Sequence, residues 1–447
     1  MTGATADVDA FTDLLRARGL CERGVPISMA RAPGRLDVMG GIADYSGSLV
    51  FERPIAEATW AAIQPTARPV LDVVSLGRPP LTIPLETLAP DGVTIGYDQA
   101  RQMFRDGEPW AAYVAGVLLV LARERAVPLR SGLRIVVWSA VPEGKGVSSS
   151  AAVETATMHA AAQALGIAQT GRELALLCQR AENLVAGAPC GVMDQMTCVF
   201  GEREALLALL CQPAELQPSV RVPSDLEFWG VDSGERHAVG GSDYGAVRTG
   251  AFMGLRLLRA EAGLLTEYLA NISPAEFERG LARHLPDEMT GDAFLARYGH
   301  TEDKVTTVQP GRRYRLRAPT SHPVYERQRA EEFSHLLTNS PDEAACVRLG
   351  ELMYESHASY GQCGLGSPGT DRLVELVRRE GPASRLYGAR ITGGGSGGTV
   401  AILGRRDAGV AIARVAEAYE RDTGYRPYVF AGSSPGVLAF GGRTIVL

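Results

Sequence analysis

The 447-residue chain carries 45 Lys and Arg against 51 Asp and Glu, a net charge of −6, with 45% apolar and 21% charged residues. This mildly acidic balance excludes the basic footprint of a nucleic-acid binder, and the apolar content suffices for a large core without staples. The longest apolar run, residues 111–122, is too short to cross a bilayer, and the N-terminus lacks the basic-then-apolar order of a secretory signal.

Length alone suggests about three domains. Residues 1–24 read as a short helix with Phe11, Leu14 and Leu15 on one face, ending at Gly19 or Gly24. From Ile27 to Pro69, apolar runs broken by Gly and Pro read as strands and a loop. Residues 110–125 read as a buried helix, and the run from Leu133 as an internal strand. Pro142 and a glycine- and serine-rich loop follow, then an alanine-rich helix with a natural stop at Gly166. Another helix over 171–186 and a strand lead to the Pro-containing stretch 213–223, read as a lobe boundary. The expected division is an N-terminal lobe over 1–215 and a C-terminal lobe over 216–447. The second half predicts helices near 245–270, 324–337, 342–360 and 370–380, then two apolar strands around a glycine run. Residues 280–320 read as a polar, irregular surface insertion.

The seven cysteines are odd in number and form no C-x-x-C pair, which suits free thiols in a reducing cytoplasm. The seven histidines include no H-x-H or H-E-x-x-H pattern, so a zinc site is not expected. A metal, if used, would be a hard cation held by oxygen ligands and phosphate.

Four segments have a composition suited to chemistry. In Ala32–Val50 (APGRLDVMGGIADYSGSLV), Gly34-Arg35 and Gly40-Gly41 bring backbone close to something small, with Arg35, Asp37 and Asp44 among apolar residues. A turn-rich hairpin with surface charges reads equally from this segment alone. In Val141–Glu154 (VPEGKGVSSSAAVE), a flexible Gly144-x-Gly146 loop, three serines and an abrupt helix start make an anion site, because free N–H groups and the helix dipole favour phosphate there. The spacing is not that of a Walker loop, and a serine N-cap after a glycine turn is the plainer alternative. In Ile391–Leu403 (ITGGGSGGTVAIL), Gly393-x-Gly395-x-x-Gly398 formally matches the dinucleotide fingerprint, but a strand follows where a helix is required. A loop pressed on a ligand or another loop, or a tight hairpin, fits better. In Ala181–Met196 (AENLVAGAPCGVMDQM), Glu182 lies on a helix, and Asp194 sits in an apolar stretch where a lone carboxylate needs a partner such as Arg35, or else serves as a helix cap.

Together these segments resemble the GHMP small-molecule kinases, and within them the galactokinase branch. The matching texts are GRLDVMGGIADYSGS, PEGKGVSSSAA, CGVMDQ and TGGGSGG, in the family's order, supported by RHAVGGSDYGAVR at 236–248 and LMYESH at 352–357. The first motif, the CGLGS…GTDRLV run at 363–374 and the TGGGSGGT loop are most similar to the kinase part of the plant L-arabinokinases, which carry a further N-terminal glycosyltransferase-like region. The likeness runs from about Met29 to the C-terminus and weakens over 255–315.

The resemblance implies an α+β fold of two lobes, an N-terminal one like the second domain of ribosomal protein S5 and a ferredoxin-like C-terminal one, with the site in the cleft. It implies ATP and Mg²⁺ as cofactors. Gly144, Gly146, Ser148, Ser149 and Ser150, with Gly394 and Gly395, would bind the nucleotide, and Ser150 and Glu182 would approach the metal. Trp110 and Tyr113 match the adenine neighbourhood, though core aromatics on a buried helix read equally well. Asp194 would take or orient the proton of the sugar's anomeric hydroxyl. Arg35 would pair with Asp194 and stabilise charge at transfer. Asp44 would hold two ring hydroxyls, with Gly191 and Tyr244 completing the pocket.

Galactokinases have Glu-His where this chain has Gly41-Ile42. The resemblance assigns those two positions to the sugar's exocyclic CH₂OH. L-Arabinopyranose has the ring stereochemistry of galactopyranose without that group, so an apolar Ile42 suits a pentose, while an unpaired Glu and His would each cost about 1–3 kcal/mol. The expectation is a sugar 1-kinase making L-arabinose 1-phosphate and ADP, as a cytoplasmic monomer or weak homodimer without nucleic-acid or membrane partners. A galactokinase is the nearest alternative. A non-catalytic sugar sensor is disfavoured by the intact serines, Glu182 and Asp194, and a homoserine- or mevalonate-type kinase by the Arg35 to Tyr45 segment.

Overall fold

The apolar runs between residues 27 and 66 form two long antiparallel strands, β1 (Ile27–Met39) and β2 (Leu49–Thr66). The computed structural model describes residues 2–236 and 242–447. Every residue of β1 is buried, which is why its sequence lacks the polar alternation of a solvent-facing strand. β3 (Val70–Ser75), β4 (Leu81–Pro84) and β5 (Gly132–Ser139) extend the sheet in the order β1-β2-β5-β3-β4. β6 (Ala205–Leu210) pairs with the start of β2, and the short β7 (Glu215–Leu216) and β8 (Val220–Arg221) pair with β6. The stretch 213–223 therefore carries two small edge strands of this sheet.

The two faces of the sheet are covered differently. The helices Ala112–Glu124, Ser149–Ala164 and Gly171–Arg180 share one core with Ala61 and Ile63 of β2 and Ile135 of β5. The first helix, Thr2–Ala17, sets Phe11 and Leu15 against Trp60, Ala62 and Val136, the alternate residues of the same strands.

A second, antiparallel sheet contains β9 (Leu226–Asp232). The helices Arg317–Thr338 and Glu343–Cys363 pack between the two sheets: Phe333 and Leu352 share a core with Val38 and Phe51 from the first and Phe228 and Ala401 from the second. Residues 280–320 form β10 (Glu288–Thr290), the helix Gly291–Tyr298 and β11 (Arg313–Arg315), with β10 and β11 antiparallel. The expected irregular surface insertion thus has a core of its own, Phe294, Tyr314 and Leu316 against Leu257 and Leu258 of the helix Ser242–Ala262. Its apolar residues are far apart in sequence and show no local period, so the pattern reading missed them.

β12 (Leu386–Ile391), β13 (Thr399–Arg405) and β14 (Val429–Phe430) complete the second sheet in the order β12-β13-β9-β14. The helices Pro368–Glu380 and Gly409–Thr423 lie on it through Leu373, Val377, Ile412 and Val415. The last strand, β15 (Arg443–Ile445), returns to pair with β1. Two buried ion pairs tie the sheets together: Asp37 of β1 with Arg390 of β12, and Arg53 of β2 with Glu227 of β9. All seven cysteines are buried free thiols. Among the described residues no helix is long and apolar enough to cross a membrane.

Candidate active site

Three glycine-rich segments meet, and they fit one another. A Cβ on Gly34 would lie 2.5 Å from Val147 O, and the Arg35 N–H donates to that same carbonyl at 3.1 Å. A Cβ on Gly398 would lie 2.8 Å from Lys145 O, to which Thr399 Oγ1 also donates at 2.8 Å. The 393–398 loop is thus a β12–β13 hairpin pressed on the serine loop. The close approaches expected of Gly34 and Gly40 to a small ligand are made to the protein's own backbone, for a Cβ on Gly40 would meet Leu49 O at 2.7 Å.

The serine loop ends in a sharp entry to its helix. Gly144 and Gly146 have positive φ, and Ser148 takes φ 60° and ψ 45°, a left-handed conformation that costs a non-glycine residue on the order of 1–3 kcal/mol. The buried Ser148 hydroxyl has no hydrogen-bond partner. Such a group, beside the free N–H groups of a helix start, suits a bound anion.

The loops open on a cavity of about 620 Å³ lined by Arg35, Asp44, Trp110, Glu182, Asp194 and Tyr244 among others. At its centre Asp194 Oδ1 accepts from Arg35 Nε at 3.0 Å and Nη2 at 2.8 Å. Arg35 Nη1 donates to Gly146 O at 2.6 Å, and Nε lies 3.1 Å from Glu52 Oε2, an ion-pair contact without hydrogen-bond geometry. Burial opposes the Arg35 charge, but Asp194, Glu52 and Asp37 outweigh it and hold the guanidinium above its ordinary value. Glu182 sits on a π-helical turn, Ala181–Ala186, a local irregularity that re-aims a side chain. Its carboxylate accepts from Gln195 Nε2 at 2.6 Å and Cys190 Sγ at 3.3 Å, and from the Ser150 hydroxyl. Burial, then the Asp194 charge, pushes Glu182 up to about 7.

Asp44 marks the other end of the cavity. Oδ1 accepts from the Tyr45 N–H at 2.6 Å, while the buried Oδ2 has no partner. A Cβ on Gly191 would lie 1.6 Å from that oxygen, so only glycine leaves Asp44 its place. Burial, with Asp194 nearby, pushes Asp44 up to about 7, partly offset by Arg248. Arg248 is itself held by the Asp303 carboxylate at 2.8 and 2.7 Å and donates to Cys190 O at 3.2 Å. The folded chain binds the Asp44 proton more tightly than the unfolded chain, so the stability this group contributes is full below its ordinary 3.8 and is lost as pH rises through about 7. Asp44→Asn is therefore expected to stabilise the ligand-free chain at pH 8 by on the order of 2–4 kcal/mol, the gain shrinking toward pH 5. Denaturation midpoints across pH read this out, and a gain independent of pH assigns the cost to another group.

Of the residues singled out in the sequence, Arg35, Ile42, Asp44, Trp110, Tyr113, Gly144, Gly146, Ser148, Ser149, Ser150, Glu182, Gly191, Asp194, Tyr244 and Gly394 all line the cavity. Gly41 does not. Its Cα faces a buried cluster, where a Cβ would lie 1.7 Å from Tyr360 Oη. Gly395 packs on Leu365 instead, 2.7 Å from a would-be Cβ. The 237–241 part of the 236–248 stretch lies outside the described residues. Tyr113 borders the cavity at the start of its helix and Trp110 in the 3₁₀ turn Pro109–Ala111 before it, where Arg78 stacks 5.4 Å from the Trp110 ring centroid. Glu52, Arg248 and Asp303 were missed. Arg248 fell inside a galactokinase-like stretch without a pattern of its own, and Glu52 and Asp303 offered no signal.

The cavity is clasped by two glycine-rich loops and holds the Arg35–Asp194 pair. The GHMP kinases N terminal domain matches residues 112–202, and the GHMP kinases C terminal domain residues 343–421. The chain is 44% identical to the L-arabinokinase of Arabidopsis thaliana over 95% of its own length, and spans 47% of that relative's length. It is 30% identical to the galactokinase of Chloroflexus aurantiacus, covering 89% of this chain and 90% of that one. The Lactococcus lactis galactokinase solved with galactose shares the fold, with a TM-score of 0.76 at 21% identity over 98% of this chain and 100% of the other. The chain belongs to the GHMP kinase family, among its sugar kinases.

Proposed function

We propose that the chain transfers the γ-phosphoryl group of ATP to the anomeric hydroxyl of L-arabinose, giving L-arabinose 1-phosphate and ADP. The observation that carries the choice of sugar is the pocket wall: the unpartnered Asp44 oxygen, ready for ring hydroxyls, lies in the same cavity as the apolar Ile42. A pentose presents no primary hydroxyl to such a wall, whereas a hexose would bury one there. The 44% identity to a relative named L-arabinokinase supports the same reading.

In this reading the N–H groups around Gly144 to Ser150 and the Gly394 backbone cradle the phosphates, while Trp110 and Tyr113 flank the base. Asp194 accepts the proton of the anomeric hydroxyl as its oxygen attacks the γ-phosphorus, and the bond to the ADP oxygen breaks. Arg35 holds Asp194 and faces the charge that develops at transfer. Ser150 and Glu182 offer oxygen donors. Among the described residues no cluster of three His, Cys, Asp or Glu could hold a metal unaided, so phosphate would complete the shell, as suits Mg²⁺. A Mg²⁺ held there would supply neutralisation of phosphate charge.

ADP release from Mg-ATP with L-arabinose, D-galactose, D-glucuronate and D-galacturonate tests the assignment. The highest kcat/KM is expected for L-arabinose, with weak turnover of D-galactose. A higher value for D-galactose makes the chain a galactokinase, and no turnover of any sugar makes it a sensor.

A further inference from the structure

Resting on the sugar-kinase reading above, we propose that Tyr360 is a specificity-determining positioning residue, which sets the pentose preference from behind the pocket wall. It lies on the helix Glu343–Cys363, fully buried and 318 positions from the loop it controls. Its hydroxyl does two things there.

First, it occupies space. Gly41 has φ +39°, and a Cβ on it would lie 1.7 Å from Tyr360 Oη, 2.7 Å from Asp37 Oδ2 and 2.8 Å from Arg390 Nη2. Any side chain at position 41 would force Tyr360, Asp37 or Arg390 to shift. The paired substitution Gly41→Glu with Ile42→His would fail on sterics while Tyr360 stays. Of the two neighbouring positions, only Ile42 is left to face the sugar.

Second, it fixes Ile42. Tyr360 Oη accepts from the Ile42 N–H at 2.8 Å and donates to Gly393 O at 3.0 Å, with Asp37 Oδ2 at 3.4 Å. One hydroxyl therefore pins the wall residue and ties it to the loop that carries Gly394. The ring is held in turn: Arg390 lies 5.0 Å from its centroid and His322 meets it edge-on at 5.4 Å. Ile42 and Tyr360 also share one apolar cluster with Tyr244, Val247 and Ile391. Such a support keeps the wall from yielding to a sugar with one more carbon and an extra hydroxyl.

The test compares kcat/KM for L-arabinose and D-galactose in the wild type, Tyr360→Phe, Gly41→Ala and the double variant, with thermal midpoints alongside. Tyr360→Phe keeps the ring and removes the oxygen. It is expected to lower the arabinose-to-galactose ratio by about tenfold, mainly through a lower KM for D-galactose. Gly41→Ala pushes on the same contact from the other side and is expected to lower the ratio too. In the double variant the loss is smaller than the product of the single losses, because the nearest of the three colliding atoms is gone while Asp37 Oδ2 and Arg390 Nη2 remain. An unchanged ratio in both single variants, with only stability or overall turnover reduced, overturns the proposal, as that is what a merely structural tyrosine would do. The wild-type ratio tests the L-arabinose reading separately. If the wild type prefers D-galactose that reading falls, while a tenfold change on Tyr360→Phe still supports the positioning role and an unchanged ratio still overturns it.

Discussion

Asp194→Asn is expected to lower kcat by about 10²–10⁴-fold while the chain stays folded. The carboxylate is the acceptor for both Arg35 Nε and Nη2, and its side chain is 17% exposed toward the cavity. The amide keeps the shape and one acceptor but cannot take the proton of the attacking hydroxyl. Removing a partner from a buried arginine is normally destabilising, because it leaves an uncompensated charge. Here Arg35 keeps the Gly146 O hydrogen bond at 2.6 Å and the Glu52 contact at 3.1 Å, which offset part of that penalty. The loss should thus fall on kcat rather than on the KM for either substrate. Steady-state ADP release with a thermal melt checks both halves, and retained turnover removes Asp194 from the transfer step.

Arg390→Met is expected to destabilise the fold by about 3–5 kcal/mol. Arg390 and Asp37 are both fully buried, with Nη1 2.7 Å from Oδ1 and 3.2 Å from the Asp37 carbonyl. The pair joins β1 of the first sheet to β12 of the second. Without the guanidinium, Asp37 keeps only the Gly41 and Gly393 N–H groups as close donors, each at 3.2 Å, with Tyr360 Oη farther off. Replacing both partners, Asp37→Leu with Arg390→Met, should recover much of the loss, since no charge is then stranded. Denaturant midpoints measure the cycle. Additive losses would mean that the two residues act independently.

The candidate site was legible to different depths. The serine loop announced itself because a glycine-x-glycine turn running into a serine-led helix is a local backbone device, encoded within about ten residues. Asp194 was legible for a similar reason: a lone acid among Val, Met and Cys demands a partner. Which partner was less determined, since Arg35 lies 159 positions away. Glu52 was not legible at all. It sits in a buried strand beside Arg53, and nothing in that run separates the acid that contacts Arg35 from the arginine that reaches Glu227 instead. Position 41 read as part of the sugar pocket because the family resemblance assigns positions 41 and 42 together to the sugar's exocyclic group. The chain turns there at φ +39°, and the two residues face different surroundings.

The sequence by itself carried the family, through the resemblance of its motifs, and most helices and long strands, because periodicity and glycine placement act within a few residues of the chain. The tertiary structure alone decided the use of each glycine. Gly34 and Gly398 serve loop-to-loop contact, Gly191 leaves room for Asp44, and Gly41 leaves room for Tyr360. It also decided that residues 280–320 have a core and supply Asp303 to Arg248. The opening count of acids over bases said nothing of such pairs. They join residues from 55 to 353 positions apart, brought together by strand pairing and helix packing that no local pattern records.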